Sequence, residues 1–262
     1  MSDSCRESVA KIVVFDSGLG SLSIIKAIQK ISKADIIYFA DQQNFPYGHK
    51  SQAQLGSIIK KSIKTLQVQF SPDVLVMASN TPSLMLNLSS KKVIGVKPPL
   101  DEAYKISKSK KIGILGTKSA IKSKGLSKHI KENKILKSYK IFKINGSDLV
   151  DLVESGKFIT NKKYCKKIIK KTLNDVILKN SIDTITLSST HLLFLKSLLE
   201  NEFPNVHFID PGYIVAKKVF KIIKNNQSKR NSLRIFTSGN TIKFQRNLVK
   251  LKIKNKVSFL SI

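Results

Sequence analysis

Val74-Leu75-Val76-Met77-Ala78-Ser79-Asn80-Thr81-Pro82-Ser83 is an apolar run that stops at small polar residues before a second apolar segment opens at Leu84. The pattern predicts a buried strand ending in a turn that starts a helix. In open α/β sheets, ligands bind just outside such strand ends. A second copy lies 110 residues on, Thr184-Ile185-Thr186-Leu187-Ser188-Ser189-Thr190-His191-Leu192, with Ser189-Thr190-His191 aligned on Ser79-Asn80-Thr81. Two like strand ends predict two like half-sites facing each other across one small ligand.

Working outward, Ile12-Val13-Val14-Phe15 and Asp35-Ile36-Ile37-Tyr38-Phe39-Ala40 read as strands, and 52–70 as a helix with apolar positions at Leu55, Ile58, Ile59, Ile63 and Leu66. Val93-Ile94-Gly95-Val96 is a fourth short strand, ended by Lys97-Pro98-Pro99, where the prolines suggest a domain crossing. Lys111–Thr117 then resembles 12–17 at an offset of 100, which indicates an internal duplication rather than one long sheet. Further strands are expected at 139–144, 184–187, 206–209 and from Ile235. Helices are expected at 147–155, 162–180 and 213–224, with another after the 184–187 strand. The alternation predicts an α/β fold with two pseudo-symmetric domains, mostly parallel sheets and an active site in the cleft between them. The expected domains are 1–97 plus 209–262, and 98–208.

Asp16-Ser17-Gly18-Leu19-Gly20-Ser21 follows the first strand. Its glycines permit a tight turn and a close backbone approach. The G-x-G-x-x-G pattern is incomplete and no phosphate-loop Lys-Ser/Thr is present, which argues against a nucleotide site. Asp16 at the strand end is the sharper feature; a helix N-cap is its plainer role. The polar stretch Asp41–Ser51 is either a surface turn or a loop that closes over a ligand.

The 262 residues carry a formal charge of +30, supplied almost wholly by lysine, with arginine only at 6, 230, 234 and 246. Arginine is favoured for bidentate phosphate and base contacts, so this composition reads as a solvated lysine surface. It predicts weak polyanion binding that fades with salt. No apolar run approaches the ~20 residues of a membrane helix, and Met1–Ser8 lacks the apolar core of a signal peptide. A cytoplasmic protein without membrane contact is expected. Cys5 and Cys165 show no metal-ligand spacing and predict neither a metal site nor a disulfide.

Five motifs fall in one order: Phe15-Asp16-Ser17-Gly18-x-Gly20, Pro46-Tyr47-Gly48-x-Lys50-Ser51, Ala78-Ser79-Asn80-Thr81, Thr190-His191 and Thr237-Ser238-Gly239. On these the chain resembles the glutamate racemases of the cofactor-independent aspartate/glutamate racemase superfamily. The resemblance implies two α/β domains with glutamate between them, no cofactor, and D-glutamate supplied for peptidoglycan. It also implies a homodimer. One thiol removes the α-proton and a second returns a proton on the opposite face. Those thiols belong at the positions of Ser79 and Ser189, and Ser188 stands where glycine is usual. Asp16 would support the first proton-transfer position, and Glu154 with His191 the second. Ser17, Tyr47, Gly48, Asn80, Thr81 and Thr190, with Asp16 and His191, would hold the substrate.

The serines matter physically. A thiol has an unperturbed pKa near 8.5, whereas a serine hydroxyl ionises far above that, close to water. A gap of about 5–7 units is on the order of 7–10 kcal/mol in forming the anion. Low activity is therefore expected. A silent glutamate-binding relative, a sister racemase acting on aspartate, and a basic nucleic-acid-associated protein are the alternatives.

Overall fold

In the computed structural model, which describes residues 9–86, 88, 90, 92–133 and 138–262, strands and helices alternate around two separate sheets. The N-terminal stretch with Cys5 lies outside the described residues. The chain begins β1 (Lys11–Asp16), α1 (Ser21–Ile31), β2 (Asp35–Ala40), α2 (Gln52–Phe70), β3 (Val74–Met77), α3 (Asn80–Met85) and β4 (Val93–Gly95). Past the prolines come α4 (Leu100–Ile106), β5 (Lys111–Gly116), α5 (Lys118–Lys122), α6 (Lys124–Glu132), β6 (Lys140–Asn145) and α7 (Ser147–Glu154). Then follow α8 (Lys157–Thr160), α9 (Lys162–Asn180), β7 (Thr184–Leu187), α10 (Lys196–Glu202) and β8 (His207–Ile209). The chain ends with α11 (Gly212–Ile223), β9 (Ser232–Thr237), α12 (Thr241–Lys250) and β10 (Val257–Phe259).

The first sheet has the order β10-β9-β2-β1-β3-β4 and the second β6-β5-β7-β8. All strand pairs within the two sheets are parallel. The block β2-β1-β3-β4 is repeated by β6-β5-β7-β8, and even the register corresponds: Phe15 pairs with Met77 as Leu115 pairs with Leu187. This is the internal duplication read from the sequence. Parallel strands are covered on both faces, so they read as continuous apolar runs. β3 is buried at every position, and β1 at every position after Lys11.

Helix α1 turns Leu22, Ile24, Ile25 and Ile28 into the core shared with β1, β2 and α11. Each such side chain contributes about 1.5–3 kcal/mol when fully buried. Helix α2 starts with a reciprocal cap. The Ser51 hydroxyl accepts the Gln54 N–H, and the Gln54 side chain accepts the Ser51 N–H. Ser51 of the second motif is therefore a helix cap.

The structure differs from expectation in three places. Thr190–Leu195 is a 3-10 turn ahead of α10, where a helix was expected directly. Helix α7, read from the sequence as a capped helix with a glycine stop, has Gly146 at its N-cap and no side-chain cap, although Gly156 follows its end with φ of 74° as a glycine stop should. Residues 241–262, in which no element was read from the sequence, form α12 and the edge strand β10.

Candidate active site

The carboxyl ends of β1, β3, β5, β6 and β7 converge on one cavity of about 620 Å3. It is the crevice expected outside strand ends in α/β sheets. Ten of the residues singled out in the sequence line it: Asp16, Ser17, Tyr47, Gly48, Ser79, Asn80, Thr81, Ser189, Thr190 and His191. Glu154 does not. It stands behind His191, with its carboxylate on the imidazole Nε2 and on the Leu19 N–H at 3.1 Å.

The second sheet's half reaches the first through tight crossings. The Thr190 hydroxyl donates to the Ala78 carbonyl at 3.2 Å, and the Ser23 hydroxyl donates to the Thr190 carbonyl at 3.1 Å. Thr190 thus commits its hydroxyl proton to joining the two strand ends. The glycines of the first motif make room for this. A Cβ on Gly18 would collide with the Glu154 carboxylate, and one on Gly20 with the Thr190 hydroxyl and His191. Neither glycine has a left-handed φ, so what they supply is space.

On the first wall, Asp16 is 1% exposed at the end of β1. Its Oδ1 accepts the Ser17 N–H at 2.7 Å, and its Oδ2 has no hydrogen-bond partner among the described residues. It does not cap α1, whose N-cap is Gly20. Burial pushes its pKa up to about 7, against the pull of His191, the Ser17 N–H and the nearby Ser79 hydroxyl. A carboxyl poised there can both take and give a proton near neutrality. Asn80, 3% exposed, has neither end of its amide paired among the described residues. Unpaired buried amides are costly, so a donor–acceptor pair held at a cavity wall is suited to a polar ligand.

The opposite wall carries Ser189 and His191. Burial alone would lower the His191 pKa, but the Glu154 charge and hydrogen bond, with Asp16 and Asp151, raise it. Burial would raise Glu154; the His191 charge, that same hydrogen bond and the Leu19 N–H bring it below its ordinary value. The two form a part-buried ion pair. Ser79 and Ser189 occupy N-cap positions, yet neither side chain caps its turn. The capping role therefore does not explain the two hydroxyls, which face the same cavity. Ser188, one residue past β7, also lines the cavity, its hydroxyl 3.0 Å from that of Thr186.

Sequence reasoning missed part of the far wall. Thr117, Lys118 and Ser119 follow β5, and Ser147, Val150 and Asp151 lie on α7 after β6. The duplication was the available signal, since Thr117 directly follows the strand that repeats β1. Its hydroxyl lies 3.4 Å from that of Thr81, across the cleft.

No family model matches the chain. It is 32% identical over 245 residues to the glutamate racemase of a Sulfurihydrogenibium species, covering 90% of this chain and 91% of that relative. A crystal structure of a glutamate racemase isoform from Bacillus anthracis superposes with a TM-score of 0.83 at 26% identity, covering 97% and 98% of the two chains. The Francisella tularensis glutamate racemase, solved in complex with D-glutamate, shares the fold with a TM-score of 0.80 at 22% identity, covering 96% and 97%.

Proposed function

Because this chain belongs to the glutamate racemase family, we propose that it interconverts L- and D-glutamate by proton transfer at the α-carbon, without a cofactor. The observation that carries the reading is the pairing of opposed walls in one cavity. Asp16 beside Ser79 lies on one side, and Ser189 with the His191–Glu154 pair on the other. One wall takes the α-proton, the electron pair spreads into the substrate carboxylate, and the other wall returns a proton to the opposite face. Neither hydroxyl is acidic enough to ionise by itself, so Asp16 is the proton acceptor behind Ser79 and His191 the donor behind Ser189. Ser17, Asn80 and Thr81, with the Tyr47-Gly48 segment, hold the carboxylates and amino group. Donors fixed on a carboxylate stabilise the charge that develops there.

The two halves, 1–97 with 209–262 and 98–208, close on the substrate as a homodimeric cytoplasmic enzyme supplying D-glutamate for peptidoglycan. The lysine surface binds polyanions weakly. No helix among the described residues is long and apolar enough to cross a membrane. Chiral chromatography of L- and D-glutamate after incubation, beside L- and D-aspartate, tests the substrate. Racemised glutamate and unchanged aspartate support the reading; the reverse assigns aspartate. Unchanged glutamate that still binds saturably makes the chain a silent relative.

A further inference from the structure

The Thr237-Ser238-Gly239 motif lies outside the cavity lining, and the fully buried Asp41 has no part in the proton transfer described above. The two meet. β9 runs beside β2 with Thr237 opposite Ala40, so Ser238 arrives next to Asp41 from the far end of the chain. The Ser238 hydroxyl donates to Asp41 Oδ1 at 2.9 Å. The Tyr47 hydroxyl donates to Asp41 Oδ2 at 2.9 Å, and the Asn44 amide reaches both oxygens at 3.0 and 2.9 Å. Asp41's own N–H donates to the Asp16 carbonyl at 2.8 Å.

We infer that Asp41, locked by Ser238, is a positioning residue that presents the Tyr47-Gly48 segment and Ser17 to the substrate. One carboxylate gathers three side-chain donors, two from the 42–49 segment and one from the end of β9. Ser238 also accepts the Gln43 N–H at 3.0 Å, so the segment is held at both its start and Tyr47. Gln42 completes the fit: its amide donates to the Ser17 carbonyl at 2.6 Å. A Cβ on Gly239 would stand 2.6 Å from the Gln42 Cβ. The glycine of the motif therefore lets the segment lie flat against β9. Tyr47 is itself a reliable donor, because burial and the Asp41 charge raise its pKa well above the ordinary value. Charge-assisted bonds of this kind are the stronger class of hydrogen bond. Asp41 touches no reacting atom, so its loss should weaken binding rather than slow chemistry.

The inference rests on the glutamate reading of the cavity, and the experiment separates the two. Glutamate affinity, KM and kcat are measured for wild type, Asp41→Ala, Asp41→Asn and Ser238→Ala, each checked for folding by urea denaturation. Asp41→Ala should weaken L-glutamate binding and raise KM by about 10–100-fold, with kcat within about threefold of wild type. Asn keeps an acceptor for Ser238 and can donate to the Tyr47 oxygen, so Asp41→Asn should return affinity to within about threefold. Ser238→Ala leaves the carboxylate two partners; it should fold normally and lose about 3–10-fold in affinity, which covers the case of an unfolded Asp41→Ala. Folded Ser238→Ala and Asp41→Ala proteins with wild-type affinity overturn the inference, as does a fall in kcat at constant KM. Absence of glutamate binding by the wild-type chain overturns the reading itself, and this inference with it.

Discussion

Replacing both Ser79 and Ser189 by cysteine should raise activity sharply. Each hydroxyl already stands at the end of a strand facing the cavity, free of any capping duty, so a sulfur changes little but acidity. Asp16, with its pKa at about 7, is the proton acceptor beside position 79. Passing a proton to it from a hydroxyl, which ionises about as reluctantly as water, is steeply uphill. From a thiol near 8.5 the climb is about 1.5 units. The difference is on the order of 7–10 kcal/mol for full ionisation. General acid–base groups transfer the proton within the transition state and contribute typically about 10²–10⁴-fold, so that is the gain expected. Loss of the glutamate α-proton signal in deuterated water, followed by NMR for both enantiomers, measures it. A folded double variant that binds glutamate like wild type yet exchanges no faster would refute the thiol reasoning.

Asp16→Asn should be inactive but more stable at alkaline pH. The folded carboxyl keeps its proton up to about pH 7, while the unfolded one releases it near 3.8, so stability falls as pH rises through that window. The neutral amide removes a loss of about 4 kcal/mol above pH 7, and urea unfolding should show a larger gain at pH 8 than at pH 5. Glu154→Gln strips His191 of the largest charge that raises its pKa, leaving only Asp16 and Asp151 against burial; an NMR titration of that imidazole should move down from its wild-type value, and turnover should fall by about tenfold or more. Gly18→Ala drives a methyl into the Glu154 carboxylate and to 3.0 Å from His191 Nε2. It should cost about 1–3 kcal/mol in unfolding free energy and disable the second wall.

Much of the fold was legible because parallel strands buried on both faces leave short, largely apolar runs bounded by turn residues. Val74–Met77 and Thr184–Leu187 are buried at every position, and both were read within a residue of their ends. Helices α5 and α6 were not read, since between them they bury only Ala120, Ile121 and Leu126 among lysines. The same holds for α12, which buries Phe244 and Leu248, and for β10, where Val257 alone is buried. Such edge elements are held by contacts distant in sequence, not by local pattern. At the site, Asp16 and the two serines were visible at strand ends, but the reason for Gly18 and Gly20 was not. Their neighbours Glu154, Thr190 and His191 come from the other half of the chain. The Asp41–Ser238 contact spans 197 residues and is equally invisible to local reading.

The most direct test of the whole account is α-proton exchange by the protein as it stands. L-glutamate and D-glutamate are incubated separately with it in deuterated water. Saturable exchange of both, slow but well above buffer and accompanied by the opposite enantiomer, is the predicted result: Asp16 and the His191–Glu154 pair then move protons through the two serines. Saturable binding with no exchange from either enantiomer contradicts it, and leaves a glutamate pocket without working acid–base groups.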